Sequence, residues 1–293
     1  MHEQLSTLSS VMDSRQGKVR DIYDLGDTLL LVTSDRISAF DVVFPDPIPG
    51  KGVILNQIAV HVFKHTSQIV ANHFISDQVD DYPSEFHPFR AYLEGRSMLV
   101  RKTRVIPFEC IVRGYISGSA WSEYKKTSTV GGMLIAEDMK ESQKFSQPLF
   151  TPSTKASEGH DLNISYREML GCMDEKIAVF LKDKSLALYH FAHDLLLKHN
   201  IILADTKFEF GTIGNRIVLI DEALTPDSSR FWAMDDYSIG SSPRSYDKQF
   251  VRDYLNGIGW DKTPPAPHLP ENVIARTLEK YKQIMQLITQ EIK

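Results

Sequence analysis

Hydrophobic and polar positions alternate or cluster in a way that marks out most of the chain's elements. Gly17 to Gly26 and Thr28 to Ser34 are rich in leucine, valine and isoleucine around Leu25-Gly26-Asp27, which predicts two strands joined by a tight turn. After the Pro-rich stretch Phe44 to Gly50, apolar residues at helical spacing predict a helix from Val53 to about Ser67. Strands are expected at Met98 to Lys102 and Glu109 to Gly114, with a short helix near Ser119 to Lys126. From Thr127 to His160 the chain is polar and aperiodic, which predicts irregular structure. Helical spacing returns from Met173 to Leu197 and leads into two strands, Ile201 to Gly211 and Val218 to Glu222. A helix near Asp247 to Asn256, the cluster Pro264-Pro265-Ala266-Pro267 and an amphipathic helix from Pro270 complete the series. Strands come in hairpin-like groups and helices separately, so the expected class is α+β, not a doubly wound parallel sheet.

The second hairpin also places charges where a sheet rarely wants them. Strand alternation puts Asp205, Lys207 and Glu209 on one face and Thr206, Phe208 and Phe210 on the other. The partner strand is apolar until it ends in Asp221 and Glu222. Carboxylates gathered at a hairpin end, with a lysine among them, suit a hard cation such as Mg²⁺ and a bound phosphate. The plainer alternative is the solvated face of a half-buried sheet. Pairing Phe210 with Arg216 would set Asp205 opposite Asp221, and a one-residue slip would bring Glu222 there. Asp205 and Glu209 lie about 13 Å apart along an extended strand, too far to share one ion directly.

Composition changes the picture only by exclusion. With 293 residues, 42% hydrophobic and 24% charged, the chain reads as one large or two to three smaller globular domains. A net charge of −5 disfavours a general nucleic-acid binder but leaves room for local cationic clusters that hold small anions. No run approaches a membrane span and no signal peptide is visible, while Cys110 and Cys172 form neither a disulfide framework nor a zinc pattern. A reducing cytoplasm is the expected setting.

Four further stretches carry candidate chemistry. In Gly17-Lys18-Val19-Arg20-Asp21, glycine admits close backbone approach to a phosphate, and Lys18 and Arg20 project from one strand face. An ordinary turn and strand would look the same, and the run is no Walker A loop. Gly50-Lys51-Gly52 could offer N–H groups to an anion or serve as a simple loop before the helix. Arg113 to Ser119 joins an arginine, two glycines and a helix-opening serine, an arrangement suited to a carboxylate or phosphate. Asp221 to Arg230 crowds three carboxylates, three hydroxyls and an arginine behind an apolar strand, which favours function over a solvated loop. His61/His65 and His190/His193 lack an H-E-x-x-H pattern and read as helix faces.

Taken in order, these motifs resemble the SAICAR synthetase family. The likeness runs through Gly17 to Tyr23, Ser34-Asp35-Arg36-Ile37-Ser38-Ala39-Phe40-Asp41, Ile111 to Trp121, Thr151 to Ala156, His160-Asp161, Ala204 to Gly211, Asp221 to Trp232 and Ser245 to Phe250. It covers about residue 15 to residue 282 and is nearest the longer, single-function form, since the length leaves no room for the carboxylase domain of the bifunctional form.

The resemblance implies a fold of two α+β portions with an ATP cleft between them, ATP-grasp-like, plus C-terminal helices. The implied parts are residues 1–110 (ATP-binding), 111–235 (metal and substrate) and 236–293 (helical). It implies the reaction ATP + CAIR + L-aspartate → ADP + phosphate + SAICAR, through phosphorylation of the CAIR carboxylate, with Mg²⁺. By the same likeness Gly17, Lys18, Val19, Arg20, Lys155 and Glu109 bind ATP, the adenine lying in an apolar slot near Val100 and Phe108 to Ile111. Glu209 and Asp221 are the implied metal ligands. Lys207, Asp205 and Arg230 are the implied catalytic group, Arg230 on a nucleotide phosphate. Ser34, Asp35, Arg36, Arg113, Ser119, Asp161, Asp247 and Lys248 complete the substrate side. Monomer and homo-oligomer stay open, with neither nucleic acid nor membrane as partner. The competing possibilities are a small-molecule kinase with a related ATP site and a catalytically silent nucleotide-binding protein.

Overall fold

In the computed structural model, which describes residues 14–155 and 162–292, two antiparallel sheets account for most of the strands. The first holds β1 (Ser14–Gln16), β2 (Arg20–Asp24), β3 (Thr28–Thr33), β4 (Phe74–Ser76) and β5 (Ser97–Arg101), in the order β1-β2-β3-β5-β4. The predicted first strand pair is present as β2 and β3, with Leu31, Met98 and Val100 on the face towards the main core and Leu30, Val32 and Leu99 on the other. Both faces are covered, which is why β3 and β5 read as apolar runs, whereas β2 carries Arg20, Asp21 and Asp24.

The second sheet is built on two long strands, β6 (Arg104–Tyr115) and, after β7 (Lys144–Phe150) and β8 (Ser153–Thr154), β9 (Ile201–Ile213). β7 and β8 pair with the outer side of β6. β10 (Arg216–Ile220) and β11 (Ser229–Ala233) pair with β9. The seven-residue β7 lies where irregular structure was expected. Its sequence includes Pro148 and gives little alternation, and as an edge strand it tolerates a residue without an N–H. The expected boundary at residue 110 falls inside β6.

The five longest helices among the described residues frame the sheets: α1 (Lys51–Thr66), α2 (Gly118–Thr127), α3 (Glu175–Leu197), α4 (Gln249–Gly257) and α5 (Glu271–Glu291). One apolar core joins α1, α3 and α5 to both sheets, through residues such as Ile58, Leu188, Ile284, Phe208 and Phe210. A smaller one packs α4 and α5 against Ile37, Phe44 and Ile48. Backbone hydrogen bonds from Leu219 to Ala71 (2.8 Å) and from His73 to Leu219 (3.1 Å) stitch the edge of the second sheet to the segment that enters β4. This juxtaposition brings Arg20 of β2 against the end of β10. Among the described residues no helix is long and apolar enough to cross a membrane.

Candidate active site

The register of the second sheet assembles the charges. Asp205 of β9 is the cross-strand partner of Arg113 on β6 and of Arg230 on β11, and Glu209 is the partner of Glu109. Partners directly opposite share a face, so a row Arg113–Asp205–Arg230 forms beside a second row that contains Glu109 and Glu209. Lys207 projects between the rows. The hairpin register differs from the sequence-based one: Arg216 pairs with Ile213 across a two-residue turn, and Phe210 with Leu219. Glu209 then lies opposite Ile220, next to Asp221, and Asp205 does not face Asp221. An irregularity between Leu203 and Asp205 also interrupts the alternation. Leu203 therefore belongs to the main core together with Phe208 and Phe210.

In the second row, Lys207 Nζ donates to Glu109 (2.6 Å) and Glu209 (3.0 Å), Lys155 Nζ donates to the other Glu209 oxygen, and Ser153 donates to Glu109 (3.0 Å). Burial opposes the charge on Lys207, but Glu209 and Glu109 outweigh it and hold the ammonium pKa above its usual value. Arg20 crosses from the first sheet to pair with Asp221 and, at 2.8 Å, with Glu222. Desolvation again opposes its charge, and the two carboxylates reverse the effect. Asp221 is held below the carboxylate range in the same way: burial would raise it, and Arg20, Lys207 and Lys155 lower it. Its backbone φ is 66°, a left-handed conformation that aspartate tolerates better than most residues and that is often found at functional sites.

The first row opens on a cavity of ≈ 230 Å³. Arg113 donates to Asp205 (3.4 Å), Thr151 (2.9 Å) and Ser119 (3.2 Å). Ser117 donates to Asp205 from the start of α2 (3.3 Å), and Arg230 reaches the same carboxylate from the far side. Gly118 has φ 54°, a conformation that favours glycine, and a Cβ there would push the Arg230 guanidinium away from Asp205. Five cationic side chains (Arg113, Lys207, Arg230, Lys248, Arg252) and three carboxylates (Asp205, Asp227, Asp247) line the cavity of a chain that is acidic overall. Asp247 is 2% exposed, and its Oδ2 has no hydrogen-bond partner. Burial raises its pKa against the pull of Arg230 and Arg252.

Other expected site residues lie elsewhere. Lys18 precedes β2 rather than sharing its face with Arg20, and it pairs with Asp41 at the surface (2.6 Å). Arg36 donates to the carbonyls of Gly17 (3.1 Å) and Lys18 (3.2 Å) and to Asp21, which shapes the Gly17 bend. Ser34 donates to the Val19 carbonyl (2.9 Å). Asp35 is buried on Arg96 and accepts from the Gly52 N–H (2.9 Å), so that N–H is not open to an anion. None of these three lines the cavity. Asp161 lies outside the described residues. Arg252 was missed, although it stands four residues after Lys248, one helical turn along an expected helix. Ser117 and Thr151 were missed too, because short hydroxyl residues carry no pattern of their own.

An α+β framework whose facing strands present paired cations and carboxylates to a polar cavity suits an enzyme that acts on small charged ligands. The chain belongs to the SAICAR synthetase family, whose model matches residues 13–267. It is 50% identical to the phosphoribosylaminoimidazole-succinocarboxamide synthase of Thermodesulfovibrio yellowstonii over 284 residues, 97% of each chain. The SAICAR-synthase from Saccharomyces cerevisiae, solved in complex with SAICAR, matches with a TM-score of 0.88 and 41% identity over 97% of this chain and 96% of that one. A SAICAR synthetase solved in complex with ADP matches with a TM-score of 0.68 and 26% identity over 95% and 98%. Family and fold give this chain the ligase role in purine biosynthesis.

Proposed function

We propose that the cavity beside Arg113 and Arg230 receives CAIR, that ATP lies towards Gly17, Arg20 and Lys155, and that L-aspartate enters between them. The observation that supports this placement is the cross-strand row Arg113–Asp205–Arg230, which aims two guanidinium groups at one small cavity. Such a pair suits the phosphate of a ribonucleotide. Lys248 and Arg252 add charge on the opposite wall.

A carboxylate is a poor electrophile at neutral pH. The CAIR carboxylate oxygen attacks the γ-phosphorus of ATP and expels ADP, leaving an acyl phosphate. The aspartate amine then attacks the acyl carbon, loses a proton and expels inorganic phosphate. Lys207 and Lys155 lie between the proposed ATP and CAIR positions, and their share is positioning and stabilising the charge on the phosphoryl group as it passes from ADP to the CAIR carboxylate. The unpartnered Asp247 Oδ2 is proposed to accept an N–H from the ligands in the cavity.

The Glu209 and Asp221 oxygens fit Mg²⁺. They are hard donors, Glu209 within β9 and Asp221 just past the end of β10, now balanced by Lys155, Lys207 and Arg20. Among the described residues no three ligand-type side chains converge, so the protein would supply two carboxylates and leave the rest to phosphate oxygens and water. The ion, when bound, supplies charge neutralisation of the phosphates.

The proposed division of labour follows the expected parts: residues 1–110 for nucleotide, 111–235 for metal and substrate, and 236–293 as helices that close the cavity with Asp247, Lys248 and Arg252. The proposed partners are ATP, CAIR and L-aspartate, with neither nucleic acid nor a membrane among them. The cytoplasm is the proposed setting.

ADP release from Mg·ATP with CAIR and L-aspartate, separately and together, tests the reading. Release that needs both, with matching SAICAR, is expected. Release with CAIR alone and a surviving phosphorylated product would point to a kinase, and no release at all to a silent binder.

A further inference from the structure

Lys51, the first residue of α1, is 0% exposed and does not line the cavity. Its Nζ donates to the Arg36 carbonyl (3.0 Å) and pairs with Asp227 Oδ2 (3.0 Å). The same Asp227 oxygen forms an ion pair with Lys248 Nζ (3.0 Å), and Tyr281 of α5 donates to the other oxygen (2.8 Å). Asp227 and Lys248 are both cavity-lining. On the far side, the Arg36 side chain holds the carbonyls of Gly17 and Lys18. A continuous polar path thus runs from the Gly17 bend through Arg36, Lys51 and Asp227 to Lys248 at the cavity wall.

Burying a lysine costs more than an apolar side chain of similar volume would, and an ion pair seldom recovers the difference. Desolvation depresses the Lys51 pKa even though Asp227 opposes the effect. A buried ammonium that joins two sites is better explained by what it positions. Two ammonium groups share one carboxylate, which keeps Lys248 only half neutralised and its charge available to an anion.

We propose that Lys51 is a positioning residue that couples the Gly17 segment to the cavity, so that occupancy of either side sets the affinity of the other. This rests on the reading that nucleotide lies by Gly17 and the ribonucleotide in the cavity. Coupling between two ligands is reciprocal and is measured as one factor.

The test is calorimetric titration of ADP with and without SAICAR, and of SAICAR with and without ADP, on the full chain. In the unmodified protein each ligand is expected to change the other's Kd by the same factor, severalfold. Lys51→Met is expected to bring that factor towards one, and Lys51→Arg, which keeps charge and donors, to retain most of it. Weaker binding of both ligands with an unchanged factor would overturn the proposal, since a merely structural role would do that. Should Lys51→Met not fold, Lys51→Gln, which keeps a donor for the Arg36 carbonyl and removes the ion pair with Asp227, carries the test, and an unchanged factor there counts equally against it. A factor of one in the unmodified protein overturns the coupling while leaving the two sites standing. Failure to bind either ligand overturns the site assignment and the coupling with it.

Discussion

Acid should destabilise this protein through one histidine. His73 is 4% exposed, packs edge-on against Phe63 with ring centroids 5.3 Å apart, and leaves Nε2 without a partner. Burial, aided by the charge on Arg20, pushes its pKa from 6.5 down to about 3. A base with a depressed folded pKa stays neutral in the native state while the unfolded chain protonates. The stability is therefore fully present above pH 6.5 and is lost as the pH falls from 6.5 towards 3. At pH 5 the unfolded imidazole is almost fully protonated and the folded one almost not at all, which costs about 2 kcal/mol relative to pH 8.

The perturbation is His73→Leu, which keeps the apolar packing and removes the titrating ring. Urea unfolding at pH 8, 6 and 5 should show the unmodified protein losing about 2 kcal/mol more than the variant between the extremes, or about 4 °C in a melt. His193, also depressed by burial, titrates in both proteins and cancels in the comparison. Parallel stability curves would refute the reasoning, because they would mean that His73 is charged or solvated in the native state.

Three further outcomes are expected. Glu209→Gln and Asp221→Asn should each lower ADP release at saturating Mg²⁺ by about 100-fold or more with the fold intact by circular dichroism, and near-normal turnover would show the metal ligands misassigned. Lys207→Met strips the cation from two carboxylates that face each other across strands. The Lys207 side chain is 29% exposed, so the cost should fall to about 2–3 kcal/mol, below the loss for a fully buried pair, and a calorimetric melt would read it. Arg113→Met should weaken SAICAR binding by about 100-fold while leaving the ADP Kd within twofold, and equal losses for both would place Arg113 on the wrong ligand.

The charged face of β9 was legible because alternation is a local property: Asp205, Lys207 and Glu209 were set on one side by spacing alone. Their partners were not. That Arg113 and Arg230 flank Asp205 depends on register, and register depends on bulges and on a turn at Gly214-Asn215 that shifted the pairing by three residues from the sequence-based one. The strand β7 escaped because its pattern is set by an edge position rather than by two buried faces. Lys51 drew notice for its neighbouring glycines, as a possible anion loop. Its actual partner, Asp227, lies 176 residues away, and no local rule could have joined them.

The placement of α5 bears on how the molecule is made. Ile284, Ile288 and Ile292 belong to the same core as α1 and both sheets, and His61 Nε2 meets the Ile292 carbonyl at 2.5 Å. This helix is the last described element to leave the ribosome. Until it does, the larger core lacks one wall, and Asp227 lacks Tyr281. Pairing of β6 with β9 already spans about a hundred residues, so non-local closure is slow and late. A nascent chain therefore waits with the apolar faces of α1 and α3 that α5 covers still open, which makes late burial a property of this topology rather than of any one exposed residue.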